Sequence, residues 1–216
     1  MENKEELIKK FWENCRPFFA HLDESRNEMI VEGGYLYNDL LPILSNINLI
    51  DTVVLDYGIG KGHLGKLLYD IYHIKKYVGM DIAERSLEAA KDTLESYPNA
   101  KLLLVDYNFS KLQEQFNIFA FMSFACIQHF PDLEYTEMIF DKLNISNIKH
   151  LILQYRCCEG DEYLFPIPDS YSSEKIARSC YLNSSWIKKI LSNYSCTYLS
   201  PISKKSRYQY VEFTIQ

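Results

Sequence analysis

The chain has no Cys-x-x-Cys pair among its six cysteines (Cys15, Cys126, Cys157, Cys158, Cys180 and Cys196), and its five histidines do not cluster at ligand spacing. The usual structural zinc patterns are thereby excluded, and no metal site is expected. A basic excess is also missing. With 29 acidic and 23 basic side chains the net charge is −6, which argues against broad nucleic-acid binding, since phosphates call for a basic face. Long apolar runs are scarce: residues 116–130, the most apolar stretch, contain Asn117, Gln128 and His129 and are too short to cross a bilayer. Behind Met1 the chain reads Glu-Asn-Lys-Glu-Glu, with no apolar core of a signal peptide. The expectation is a reduced, cytoplasmic protein with free thiols and with neither membrane nor nucleic-acid partner. The vicinal Cys157 and Cys158 read as incidental rather than as a redox switch. No internal repeat or low-complexity tract interrupts the chain.

What is present is ordinary globular material. The 216 residues are 47% apolar and 24% charged, with 17 Tyr and 12 Phe, enough for one compact domain with an aromatic-rich core. Leu7, Ile8, Phe11, Trp12 and Cys15 recur at helical spacing, predicting a helix over 4–16 stopped by Pro17. A second helix is expected over 35–44. From Asp51 the pattern changes to short apolar runs alternating with amphipathic segments. Strands are predicted at 53–55, 77–80, 101–105, 119–124 and 150–155, with helices after the first two, over about 132–143 from an Asp132 cap, and over 184–191. Two alternating strands close the chain at 196–199 and 208–215. Their turn, with Lys204, Lys205 and Arg207, reads as a solvated one, with attraction of a substrate phosphate or carboxylate as its alternative role. Such alternation means an α/β fold: a doubly wound, mostly parallel sheet that ends in an antiparallel hairpin. The expected organisation is an N-terminal helical cap over 1–50 and one compact α/β unit over 51–216.

Ligands of open parallel sheets sit beyond the carboxyl ends of the strands. Three such ends here carry acids or glycines. Asp56-Tyr57-Gly58-Ile59-Gly60-Lys61-Gly62 follows the first strand, Asp81 ends the second and Asp106 ends the third. Glycines at the first turn let a ligand approach the backbone, an acid after the second strand can take both ribose hydroxyls, and an acid after the third can accept from an exocyclic amine. Together they describe a pocket for an adenosine-bearing ligand. Separately, the glycines could simply turn the chain and the acids could simply cap helices.

The dinucleotide fingerprint needs a third glycine at position 63, which is His63. Instead, V-V-L-D-Y-G-I-G-K-G, Y-V-G-M-D-I-A, L-L-V-D-Y and F-M-S-F-A-C-I-Q-H-F, spread over about 51–155, resemble the class I S-adenosylmethionine-dependent methyltransferases. The resemblance implies a seven-stranded sheet with its last strand antiparallel and S-adenosylmethionine as cofactor. It would place Asp56, Gly58, Gly60 and Gly62 along the methionine portion, Asp81 on the ribose hydroxyls, Ile82 on the adenine face, and Asp106 with Tyr107 at the adenine edge. Ser123 stands near the fourth strand end, where the family carries a polar residue. The Asn/Asp-Pro-Pro-Tyr/Phe motif of nucleic-acid amino-methyltransferases is missing, so a small-molecule acceptor and O-methylation are expected. His129 is the candidate general base, with packing in a loop as its alternative role. Tyr35, Tyr37, Gln128, Tyr155 and Arg156 are the candidate acceptor contacts, with packing of the cap onto the core as the alternative role of Tyr35 and Tyr37. Two other readings stand beside this one: a nicotinamide-dependent oxidoreductase, disfavoured by His63, and a non-catalytic binding protein of the same fold.

Overall fold

The computed structural model describes residues 6, 9–10, 12–13, 35–158, 163–164, 180–202 and 208–216. They fall into two compact units, 1–105 and 106–216. In the first unit Glu6, Lys9, Lys10, Trp12 and Glu13 are helical, matching part of the helix expected over 4–16. The Glu13 carboxylate accepts from the backbone N–H groups of Glu84 (2.7 Å) and Arg85 (3.4 Å). An acid thus stands at the start of a later helix, where free donors and the positive dipole end favour it.

Helix α1 (Tyr35–Leu44) precedes β1 (Val53–Tyr57), α2 (His63–Tyr72), β2 (Lys76–Asp81), α3 (Glu84–Thr93) and β3 (Ala100–Leu104). β2 lies between β1 and β3 and is parallel to both. Leu64, Leu67 and Leu68 of α2 and Leu87 and Ala90 of α3 are buried, as the amphipathic spacing predicts. Burial of β1 and β2 is nearly continuous, as expected of parallel strands covered on both faces.

One local device in this unit has no signature in the sequence. The Tyr77 ring of β2 runs through a slot floored by Gly65 of α2 and Gly79 of its own strand. A Cβ on Gly65 would fall 2.8 Å from Tyr77 Cζ, and one on Gly79 would fall 2.8 Å from Cε1. The slot lets α2 press onto the strand while the phenol passes underneath. Gly65→Ala should gain about 1 kcal/mol of helix propensity and lose about 1–3 kcal/mol to overpacking. Net destabilisation is expected in urea unfolding, and the sign should reverse in a Tyr77→Leu background. Destabilisation of equal size in both backgrounds would show that the slot is not the cause.

The second unit holds α4 (Phe109–Phe116), β4 (Ala120–Ser123), a one-turn 3₁₀ helix (Ile127–His129), α5 (Leu133–Asn144), β5 (His150–Cys157), β6 (Tyr163–Leu164), β7 (Tyr181–Leu182), α6 (Ser184–Ile190), β8 (Tyr194–Leu199) and β9 (Tyr208–Ile215). β4 pairs with β5 in parallel, while β9 is antiparallel to β5 and to β8. This is the antiparallel ending that the alternating pattern implied. The class is α/β. Asp132 caps α5 by accepting from Tyr135 N at 2.9 Å, and Asn108 and Asn183 cap α4 and α6 in the same manner.

Three elements differ from expectation. α4 follows β3 where no helix was singled out. β6 and β7 raise the expected seven strands to nine among the described residues. The reason lies in strand length: β4 covers only residues 150–153 of β5, and β7 pairs with Arg156 and Cys157 beyond it. Backbone groups that would form an open edge are thereby satisfied. Two-residue strands carry no periodicity from which to foresee them. The turn with Lys204, Lys205 and Arg207 lies outside the described residues.

Candidate active site

The loop after β1 is built on left-handed backbone. Gly58, Gly60 and Gly62 have φ of 81°, 52° and 77°, a region that side chains disfavour. Gly58 N and Ile59 N donate to Met80 O at 2.8 and 3.1 Å, folding the loop over the end of β2. The glycines are not equivalent, because a Cβ on Gly62 would meet Leu94 and Ala90 at 3.1 and 3.2 Å. Gly62 therefore serves the packing of α2 on α3 as well as the turn.

Two carboxylates stand under this loop, both buried. Asp81 accepts from Gly60 N through Oδ2 and from Ala83 N through Oδ1, each at 3.0 Å. Burial pushes its carboxyl up to about 6, although the Ala83 and Gly60 N–H groups pull the other way. Asp56 accepts from the Tyr77 hydroxyl at 2.6 Å. Burial raises it to about 7, the Tyr77 hydrogen bond opposes that rise, and the nearby Asp81 adds to it. Tyr77 was foreseen only as a strand residue.

These residues fit a cationic adenosine cofactor. A buried carboxylate whose ionised form lacks sufficient compensation gains from added donors or positive charge. Asp81 ends β2, where a ribose diol would supply two donors, and Ile82 follows it half-buried. The loop exposes no Cβ at three positions. Asp106 sits differently: it is exposed and accepts from Asn108 N at 2.9 Å, making a turn ahead of α4. Tyr107 is half-buried, and its hydroxyl lies 3.2 Å from that of Tyr135.

A second cluster of polar side chains lies in the unit 106–216. Ser123, at the end of β4, is fully buried. Two residues on, Ala125 has φ 52°, a strained conformation for a residue with a Cβ. Gln154 of β5 holds it there. Its Oε1 accepts from Ala125 N at 2.6 Å, while its Nε2 donates to the Tyr210 hydroxyl at 2.7 Å. The anchored turn leads into the 3₁₀ helix that carries Gln128 and His129. Gln128 is buried and His129 half-buried, with 3.4 Å between Gln128 Nε2 and His129 Nε2. Gln128 Nε2 also reaches the Tyr208 hydroxyl at 3.4 Å. Cys180 N donates to Gln128 O at 2.7 Å, tying the start of β7 to the same turn.

Strand parity sorts the β5 side chains. Gln154 and Arg156 share one face, and Tyr155 takes the other. Arg156 is half-buried, its guanidinium carbon 5.8 Å from the Tyr181 ring centre and 5.5 Å from that of Tyr208. Tyr155 was expected among the acceptor contacts. The structure places it in the core, wholly buried, with its hydroxyl donating to Gln209 Oε1 at 2.7 Å. Tyr35 and Tyr37 belong to α1, but their side chains lie outside the described residues. Sequence reasoning missed Gln154, Tyr181, Tyr208 and Tyr210. The visible hint was a glutamine inside the apolar run Leu-Ile-Leu-Gln-Tyr.

Among the described residues no group of three or more His, Cys, Asp or Glu could hold a metal ion, and no described helix is long and apolar enough to cross a membrane.

A methyltransferase-domain family model matches residues 54–143. The chain resembles the magnesium protoporphyrin IX methyltransferase of Synechocystis, solved with bound S-adenosylhomocysteine: 16% identity, TM-score 0.70, with 97% of this chain and 99% of that one covered. It also resembles an S-adenosylmethionine-dependent methyltransferase of Anabaena variabilis, at 12% identity and TM-score 0.67, covering 100% and 96%. An O-methyltransferase family protein of Burkholderia thailandensis matches at 13% identity and TM-score 0.62, covering 84% of this chain and 56% of that one. No curated protein is detectably similar to the chain.

Proposed function

We propose that the chain, whose residues 54–143 match a methyltransferase-domain family model, is a class I S-adenosylmethionine-dependent methyltransferase that methylates a small molecule at oxygen. The bound cofactor supplies an electrophilic methyl group on a sulfonium. Asp81 takes the ribose hydroxyls, Ile82 packs on adenine, and Asp106 and Tyr107 border it. Asp56 and the glycine loop line the methionine end, with Ser123 near the reacting end. Two buried carboxyl groups whose ionised forms are disfavoured by burial suit a cofactor that carries positive charge, which would favour their ionisation. The chain's acidity and its lack of a base-methylation motif support a small acceptor over nucleic acid.

His129 carries the oxygen assignment. Its imidazole is half-buried on a rigid turn, which the Gln154 clamp fixes through Ala125 N. A positioned imidazole can take the proton of an acceptor hydroxyl as the O–C bond forms and the C–S bond breaks. Gln128 and Arg156 contact the acceptor.

His129→Ala should lower kcat by about 10²-fold or more, with S-adenosylhomocysteine affinity by calorimetry unchanged. The kcat of the wild type should also fall on the acidic side, as protonation removes the base, a limb that the variant lacks. A loss below tenfold with the limb retained would assign His129 to packing.

A further inference from the structure

β4 lies beside β5 only as far as Ser123, which pairs with Leu153. There the chain of β4 leaves the sheet. The next position on β5 is Gln154, a buried glutamine inside an apolar run. Its side chain takes over where the ladder stops. Oε1 accepts from Ala125 N at 2.6 Å, and Nε2 donates to the hydroxyl of Tyr210, its register partner on β9, at 2.7 Å. With the donor end of the amide engaged by Tyr210, its acceptor end is turned toward the departing chain.

The residue that receives this bond is the strained one. Ala125 has φ 52°, and glycine would make the same turn without strain while leaving both hands of φ open. Alanine in the left-handed region has a narrow well, and the Gln154 bond offsets its cost. The result is a turn with one conformation rather than several. Beyond it, His129 N donates to Cys126 O at 2.8 Å and Phe130 N to Ile127 O at 3.1 Å, while Cys180 N holds the Gln128 carbonyl at 2.7 Å. Ile127 and Phe130 are buried. The turn is thus tied at Ala125 to β5 and at Gln128 to the residue ahead of β7, and His129 follows directly.

We propose that Gln154, its amide oriented by the Tyr210 hydroxyl, is a positioning residue for methyl transfer: it holds Ala125 in the left-handed conformation that aims the His129 imidazole at the acceptor hydroxyl. This rests on the reading of His129 as the base. It gives Gln154 and Tyr210 a share in the rate, although neither is required to touch the acceptor.

The test is a double-mutant cycle on the full chain, with labelled S-adenosylmethionine and the small-molecule ultrafiltrate of a cell extract as the acceptor source. Gln154→Met keeps the bulk of the side chain and loses the acceptor for Ala125 N. The maximal rate should fall about tenfold to a hundredfold, while the acidic limb of the pH profile, which belongs to the imidazole, is retained. In a His129→Ala background the same substitution should cost less than about threefold, because no imidazole is left to aim. Adding Ala125→Gly to Gln154→Met should restore the rate by about fivefold, since glycine takes the left-handed conformation unaided. Amide exchange over 124–130 should quicken in Gln154→Met, and calorimetric affinity for S-adenosylhomocysteine should match the wild type. If Gln154→Met fails to fold, Tyr210→Phe removes only the hydroxyl that orients the amide and should show the same pattern with a smaller loss. Equal losses with and without His129, or no rescue by Ala125→Gly, would overturn the positioning role and leave the base reading intact. A loss below about tenfold in His129→Ala itself, or no label passed to the ultrafiltrate by the wild type, would overturn that reading and this inference with it.

Discussion

Asp81→Ala is expected to weaken S-adenosylhomocysteine binding by about a hundredfold or more. Two hydroxyl donors to an ionised acceptor contribute about 1.5–3 kcal/mol each, and each 1.4 kcal/mol is tenfold in affinity. The substitution also removes the acceptor of Gly60 N and Ala83 N, loosening the loop that must meet the ligand. Asp81→Asn retains an acceptor but loses the charge, and should fall between alanine and the wild type. The pH dependence follows from the same group. Burial holds the free carboxyl at about 6, and ribose donors favour its ionised form, so wild-type affinity should decline as pH falls below about 6. Calorimetric titration at pH 5, 6.5 and 8 measures both effects. Affinity within fivefold of wild type in Asp81→Ala would remove the residue from the cofactor site.

The second large effect concerns stability. Asp56 is raised from the ordinary carboxylate value to about 7, so the folded protein retains a proton there that the unfolded chain releases near 4. The contribution is therefore fully present below about pH 4 and is lost as pH rises from about 4 through 7. At about 1.4 kcal/mol per pKa unit its upper bound is about 4 kcal/mol. Asp56→Asn is neutral throughout and can still accept the Tyr77 hydroxyl. The variant should lose most of the stability decline between pH 5 and 8, leaving the smaller decline due to Asp81, and should exceed the wild type at pH 8. Urea unfolding of the cofactor-free protein at the two pH values tests this. Parallel profiles in the two proteins would mean that Asp56 ionises as an ordinary carboxylate.

These two carboxylates also mark what could be read without coordinates. The segment from β1 to β2 was legible because its signals are local: glycines at spacing two, and an acid at each strand end. The strand-helix alternation was legible for the same reason. Tyr77 was not, because its meaning depends on glycines at 65 and 79 that only folding brings against its ring. Gln154 escaped because its partners, Ala125 N and the Tyr210 hydroxyl, lie 29 and 56 residues away. Arg156 could be nominated by its place after a strand. Its alignment needed Tyr181 and Tyr208 from two other strands. Tyr155 shows the limit of position alone, since one step of strand parity separates a ligand-facing residue from a core one.

The Tyr77 slot has a consequence for how such a chain can change over generations. Removing the phenol hydroxyl strips Asp56 of its buried donor, a side chain at 65 or 79 strikes the ring, and shrinking the ring opens a void between α2 and β2. No single replacement among positions 65, 77 and 79 is neutral while the other two stay fixed. The three are therefore inherited as a set. A lineage that lacks the tyrosine is expected to have lost the need for at least one of the glycines as well.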